Sequence, residues 1–149
     1  MGRRRLRRGR TARGCRGPPR LVTLVLDAGG LSALAVQRAR LQELRRRELW
    51  LAQVPAVVLA ESLTGDHQRD FHVNRLLRAC QVRDVDETQA REAARLRAAT
   101  GRAGSISAVD AVVVAAAADS PGAVVLTTDP ADLCALAEHA RSPLSIVAM

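Results

Sequence analysis

Short apolar runs alternate along this chain with segments whose leucines or alanines recur at helical spacing. The first run, Leu21 to Leu26, is far too short to span a membrane and ends at a polar, glycine-containing stretch, which is typical of a buried strand. Four further segments predict strands, at residues 49–53, 81–85, 123–127 and 145–148. Because strands that alternate with helices form parallel sheets covered on both faces, we predict an α/β fold.

The segments between these strands predict helices. Leucines recur between Leu31 and Leu44 and predict one amphipathic helix after the first strand. Pro55 suits the first turn of a second helix, which continues to Leu63. Further helices are predicted at residues 70–80, 87–100, 107–118 and 131–140.

The net charge of +8 is concentrated at the start of the chain. Residues 1–20 contain nine arginines and no acid, whereas the other 129 residues contain 14 arginines and 15 acids. We therefore predict a disordered basic tail over 1–20 and a folded domain over 21–149. Because the domain is nearly neutral, the high isoelectric point does not indicate a basic nucleic-acid-binding fold.

Cysteine usage and the N-terminal pattern bear on the compartment. The three cysteines include no Cys-x-x-Cys pair, which favours a reducing cytoplasm. An alternative is secretion, because the arginines, the run Leu21 to Leu26 and Ala33-Leu34-Ala35 loosely mimic a cleavable signal. That apolar run is only six residues long and is followed at once by Asp27, so we favour the cytoplasm.

Four carboxylates form the candidate site. Asp27 and Asp129 follow strands directly or after one residue, at the edge of a parallel sheet where active crevices lie. Glu61 and Asp110 lie in otherwise apolar helical segments, where an unpaired charge is costly. Clustered carboxylates cannot all stay ionised without cations, and Mg²⁺ or Mn²⁺ prefers such oxygen ligands. The pattern predicts a metal site that activates water for attack on phosphorus.

Each acid also has a purely structural interpretation. Asp129 before Pro130 suits a helix N-cap, and Asp132 suits the positive end of the helix dipole. Ser107 and Asp110 have the spacing of a capping box. Asp27 suits a turn before Gly29-Gly30, and Glu61 suits a solvated helix edge. Only the joint pattern of all four favours the metal site.

Four motifs in order resemble those of the PIN-domain nucleases, and specifically the VapC-type toxins of bacterial toxin–antitoxin pairs. The resemblance extends from Leu21 to about Ala148, and the last motif is its most specific part. The motifs are Val25-Leu26-Asp27-Ala28-Gly29, Leu59-Ala60-Glu61, Ile106-Ser107-Ala108-Val109-Asp110-Ala111, and Leu126-Thr127-Thr128-Asp129-Pro130-Ala131-Asp132-Leu133.

The resemblance implies a three-layer α/β/α sandwich with a mostly parallel sheet, and an endoribonuclease that depends on Mg²⁺ or Mn²⁺. It implies a homodimer, a cognate VapB-like antitoxin that blocks the acidic pocket, and structured substrates such as transfer or ribosomal RNA. Thr127 and Asp132 would be supporting residues, Thr127 by hydrogen bonding to the acidic site. The implied metal-binding and catalytic acids are Asp27, Glu61, Asp110 and Asp129. The alternative is a non-catalytic PIN domain that binds RNA or protein.

The sequence leaves two further points open. The arginine-rich segment 1–20 has no counterpart in the family pattern: it either adds salt-sensitive, unspecific RNA affinity, or is absent in the cell because translation starts near Val22 or Val25. Asp119 is a further acid directly after the alanine run, and it is assigned to the end of that helix and not to the site. The arginines that contact RNA are unknown, and the candidates are Arg38, Arg40, Arg75, Arg78 and Arg102.

Overall fold

The computed structural model describes residues 22–149, so the predicted tail 1–20 and Leu21 lie outside the described residues. Five strands form one sheet in which every neighbouring pair is parallel. The predicted α/β fold is therefore confirmed. The strands are β1 (Leu24–Leu26), β2 (Ala52–Pro55), β3 (Gln81–Arg83), β4 (Ala123–Thr127) and β5 (Leu144–Ala148), in the spatial order β3-β2-β1-β4-β5.

Helices cover both faces of this sheet, as predicted. They are α1 (Ala28–Val36), α2 (Arg38–Arg46), α3 (Val58–Ser62), α4 (Phe71–Leu77), α5 (Glu87–Ala99), α6 (Ala108–Ala118) and α7 (Pro130–Ala137). Side chains alternate along β1: Leu24 lines a groove with Leu44 of α2, and Val25 lines a pocket with Ala116 of α6. All three residues of β1 are buried, because this strand is central and covered on both sides.

Two of the predicted helices are corrected by the structure. The segment from Leu31 to Leu44 forms two helices, because Gln37 leaves the helical conformation at φ −92° and ψ 72°. Pro55 ends strand β2 and does not begin a helix. A proline is tolerated there because the next residue, Ala56, supplies the N–H that bonds to the carbonyl oxygen of Arg83 at 2.8 Å.

The later helices begin and end close to the predicted residues. Asp86 caps α5 by accepting a hydrogen bond from the Gln89 N–H, and Gly101 follows the helix with a positive φ of 67°. Helix α6 opens at Ser107, and most of its residues are buried, which explains its nearly uniform apolar sequence. Within residues 22–149 no helix combines the length and apolarity that crossing a membrane requires.

The topology brings the ends of several elements to one edge of the sheet. A short turn joins α6 to β4, so α6 runs back along the sheet and its N-terminal end lies where the strands end. Helix α1 begins at that same edge, directly after β1. The edge is the place where parallel α/β folds carry their sites.

Candidate active site

Asp27 joins β1 to α1 and is held at both carboxylate oxygens. Oδ1 accepts a hydrogen bond from the Gly30 N–H at 2.6 Å, which makes Asp27 the N-cap of α1. Oδ2 accepts a hydrogen bond from the Thr127 hydroxyl at 2.5 Å. The residue is 8% exposed, and burial raises the pKa of its carboxyl while the bonds from Thr127 and Gly30 act in the opposite direction.

The fully buried Thr127 is the last residue of β4 and connects two acids. Besides donating to Asp27, its Oγ1 accepts a hydrogen bond from the Asp129 N–H at 3.0 Å. The hydroxyl therefore fixes the carboxylate of one strand end relative to the backbone of the next. The supporting role that the family resemblance implied for Thr127 stays a prediction, and this hydrogen bond to Asp27 is the contact through which it would act.

Two glycines let α1 approach the end of β4 closely. A Cβ atom on Gly30 would lie 2.1 Å from the carbonyl oxygen of Leu126, and one on Gly29 would lie 2.2 Å from Oγ1 of Thr128. No side chain fits between helix and strand at these distances. The sequence suggested only a turn at this glycine pair, whereas the structure shows the first turn of a helix.

Asp110 lies in the first turn of α6 and is surrounded by like charges. Burial, followed by the negative charges of Glu61 and Asp27, raises the pKa of its carboxyl from 3.8 to about 6. Smaller contributions in the same direction come from Asp132 and Asp129. Asp110 and these four acids form the acidic cluster, and the four act on Asp110 from the start of α1, from α3 and from the start of α7.

Glu61 and Asp129 are exposed, whereas Asp110 and Asp132 are partly buried. Asp129 precedes Pro130 at the start of α7, but its side chain makes no capping hydrogen bond. Ser107 caps α6 by accepting from the Val109 N–H, and no reciprocal bond from Asp110 completes a capping box among the described residues. The purely structural interpretations of Asp129 and Asp110 therefore account for neither carboxylate.

One basic side chain offsets this acidic cluster. Arg102 Nη2 lies 2.8 Å from Asp132 Oδ1, and no other arginine among residues 22–149 is ion-paired to one of the five acids. The cluster therefore retains a strongly negative balance. Carboxylate oxygens are the donors that Mg²⁺ and Mn²⁺ prefer, so the donor set suits such an ion. Within the described part of the chain, however, no three His, Cys, Asp or Glu side chains already stand in a metal-binding arrangement.

Sequence reasoning missed a buried acid that fixes the segment after Glu61. Asp70 is 5% exposed and accepts hydrogen bonds from the N–H and Oγ1 of Thr64 and from the Gly65 N–H. These bonds lower its pKa. Its signal in the sequence is a Thr-Gly-Asp turn followed by a second aspartate, which also fits an ordinary exposed loop.

Comparison with known proteins identifies the family. The model of the PIN domain matches residues 24–138, which is more than half of the chain. The chain therefore belongs to the PIN-domain family, whose members are generally nucleases. No curated protein matches it.

Solved structures share the fold at low sequence identity. The crystal structure of PAE2754 from Pyrobaculum aerophilum is 19% identical, with a TM-score of 0.56 and 84% of each chain covered. VapBC2 from Rickettsia felis, bound to a DNA fragment from their promoter, is 15% identical, with a TM-score of 0.60, 85% of this chain covered and 99% of the other. DNA-bound VapBC from Salmonella typhimurium is 17% identical, with a TM-score of 0.60 and coverages of 84% and 98%.

Proposed function

We propose that this protein is the toxin of a VapBC-type toxin–antitoxin pair and acts as an endoribonuclease that depends on Mg²⁺ or Mn²⁺. The observation that carries the proposal is the environment of Asp110, whose pKa is raised by burial and by the negative charges of four other acids. A fold gains nothing in stability from such a cluster, because like charges in a partly buried site repel one another. A reaction that depends on a bound cation would explain why the acids are placed together.

Four acids are the proposed metal-binding and catalytic residues: Asp27, Glu61, Asp110 and Asp129. A bound divalent cation would lower the pKa of water and offset negative charge on the scissile phosphate. The chain itself orients the site, since Thr127 and Gly30 fix both oxygens of Asp27. The exposure of Glu61 and Asp129 leaves the cluster open to RNA from solvent.

The partners follow from the same proposal. The domain over 21–149 would bind a VapB-like antitoxin that covers the acidic pocket, would form a homodimer, and would cleave structured RNA of the transfer or ribosomal class in the cytoplasm. The VapBC complexes among the structural neighbours support the proposal of an antitoxin. The matches to these two complexes cover 85% and 84% of this chain.

The test is expression without an antitoxin, followed by sequencing of RNA ends from total cellular RNA. The wild-type chain should generate new 5′ ends at defined positions, and Asp110→Asn should abolish them. Asp119→Asn is the matched control, because this exposed acid ends the same helix and, among residues 22–149, its side chain accepts only from Gln89 Nε2, a bond that asparagine can keep. Cleavage that survives in Asp110→Asn would overturn the assignment.

A second candidate is a non-catalytic PIN domain that binds RNA or protein. One observation favours it: among residues 22–149, no three His, Cys, Asp or Glu side chains stand in an arrangement that could hold a metal ion. Calorimetric titration of Mn²⁺ separates the two candidates. Saturable binding that disappears in Asp27→Asn supports the nuclease, and no binding to the folded wild-type protein supports the second candidate.

A further inference from the structure

The loop between α5 and α6 holds Arg102 in a fixed position. Its carbonyl oxygen accepts hydrogen bonds from the N–H groups of Ser105 and Ile106, at 2.9 and 3.0 Å, and from the Ser105 hydroxyl. Its own N–H donates to Oγ1 of Thr100 at 3.1 Å. Both backbone polar groups of Arg102 are thus bonded inside the loop.

A second arginine braces the same loop from the helix. Arg97 lies in the last turn of α5, and its Nε donates to the carbonyl oxygen of Ile106 at 3.0 Å. A guanidinium nitrogen of Arg97 also donates to the carbonyl oxygen of Ala103. Hydrogen bonds thus hold the backbone of the loop around Arg102, and the Arg102 side chain takes no part in them.

The side chain of Arg102 extends from this loop to the acidic cluster. Its guanidinium pairs with Asp132 in the first turn of α7, across 30 positions of sequence. Asp132 is near enough to Asp110 for its charge to affect that carboxyl. The pair is partly open to solvent, with 52% of the Arg102 side chain and 34% of the Asp132 side chain exposed.

We propose that Arg102 binds a phosphate of the RNA substrate at the rim of the site, and that it exchanges Asp132 for phosphate oxygens when RNA arrives. This inference rests on the proposed function. A guanidinium presents a planar array of donors that matches phosphate, and its position beside the acids places that phosphate next to the proposed scissile bond. Solvent-exposed ion pairs contribute little stability, so the exchange costs little.

The competing explanation is that Arg102 only neutralises Asp132. A double-mutant cycle separates the two, because Asp132→Asn already removes the ion pair. If Arg102 binds phosphate, Arg102→Ala weakens RNA binding in the Asp132→Asn background as well. If it only neutralises Asp132, the effect of Arg102→Ala disappears in that background.

The experiment measures the binding of fluorescein-labelled transfer RNA to the full-length chain by anisotropy, with Mg²⁺ present. Every variant also carries Asp27→Asn so that the RNA stays intact. We expect Arg102→Ala to raise the dissociation constant about tenfold and to reduce the slope of log affinity against log salt by roughly 0.7 to 0.9, as for one lost phosphate contact. Arg91→Ala is the matched control, since it removes an arginine whose exposed ion pair with Glu87 lies within α5.

Each outcome decides the inference. An unchanged salt slope in Arg102→Ala, an equal loss in Arg91→Ala, or loss of the effect in the Asp132→Asn background would overturn it. The proposed function is tested separately, by RNA cleavage with Asp27 intact. RNA binding through Arg102 without cleavage by the intact protein would keep Arg102 as an RNA contact and remove the nuclease assignment.

Discussion

Thr127 Oγ1 donates a hydrogen bond to Asp27 Oδ2 at 2.5 Å and so joins the ends of the adjacent parallel strands β4 and β1, 100 positions apart in sequence. The bond satisfies one oxygen of a buried carboxylate, and the helix N-cap satisfies the other. Burial raises the pKa of Asp27, and the Thr127 hydroxyl counteracts this by stabilising the ionised form. The hydroxyl therefore favours the ionised form of Asp27, which is the form that the proposed metal site needs.

Thr127→Val should weaken metal binding, because it preserves shape but leaves Asp27 Oδ2 without its donor. We expect a fall in Mn²⁺ affinity of roughly 10- to 100-fold, which grows as pH falls, because the raised pKa of Asp27 lets protons compete with the metal. The free energy of unfolding should also fall by about 1–3 kcal/mol. Calorimetry measures the first effect and urea denaturation the second.

Thr127→Ser is the control for this prediction, since it keeps the hydroxyl and should retain most of the Mn²⁺ affinity. Equal affinities for the valine and serine variants would show that the hydroxyl does not support Asp27 as a metal ligand.

Gly30→Ala should destabilise the protein, although the same change in an exposed helix usually stabilises it by roughly 1 kcal/mol. The added Cβ would lie 2.1 Å from the Leu126 carbonyl oxygen, an atom fixed in the β4 ladder. Relief requires α1 to move away from β4, so we expect a loss of about 1–3 kcal/mol and a displaced Asp27. Urea denaturation measures the loss.

Gly29→Ala is the matched comparison at the neighbouring position. Its closest clash is with Oγ1 of Thr128, an exposed side chain that can rotate away. Its loss of stability should be smaller than that of Gly30→Ala. The reverse order would contradict the close approach of α1 to β4 as the reason for these glycines.

The sequence carried enough information for the sheet but not for every helix boundary. Strands β1 and β4 are predictable because each is a short apolar run between polar or glycine-containing residues, whereas β3 (Gln81–Arg83) is exposed and has a single apolar residue, Val82. The break at Gln37 was missed because leucines continue at helical spacing across it, and Pro55 was misassigned because a helix start and a strand end both tolerate proline. Local patterns do not distinguish such cases.

The candidate site was predictable only in part, for a related reason. The strand-end position of Asp27 follows from the α/β topology, which a sequence reveals. The pairing of Arg102 with Asp132 depends on the conformation of a loop whose bonds run through backbone carbonyls. No residue type or spacing encodes such bonds, so the sequence left five arginines as equal candidates.

Asp110 should make the metal-free protein less stable as pH rises. Its usual pKa of 3.8 is raised to about 6 in the folded state, so between these values the folded chain binds more protons than the unfolded chain. Stability from this group is therefore present at low pH and falls as pH rises through about 6, by about 1–2 kcal/mol after solvent screening. Urea denaturation in a chelator, from about pH 4.5 to about pH 8, measures it.

Asp110→Asn should remove this part of the pH dependence, and Asp119→Asn should leave it in place because Asp119 lies at the other end of α6. Bound Mn²⁺ should also abolish it in the wild-type protein, since the cation offsets the repulsion. The interpretation would be wrong if Asp110→Asn kept the full pH dependence.

Asp70→Asn should destabilise the turn after α3 and lower activity through Glu61, whereas Asp66→Asn in the same turn should do neither. Asp70 uses both oxygens, Oδ1 for Thr64 and Oδ2 for Gly65, so an amide must turn an N–H toward a donor. Asp66 accepts both its bonds, from the N–H groups of Gln68 and Arg69, at Oδ1, so asparagine can keep them.

Because the hydrogen bonds from Thr64 and Gly65 lower the pKa of Asp70, its contribution to stability is complete above its usual pKa of 3.8 and is lost as pH falls below that value. The stability difference between wild type and Asp70→Asn should thus be constant near neutral pH and shrink in acid, and equal unfolding midpoints for the two asparagine variants would contradict this role of Asp70.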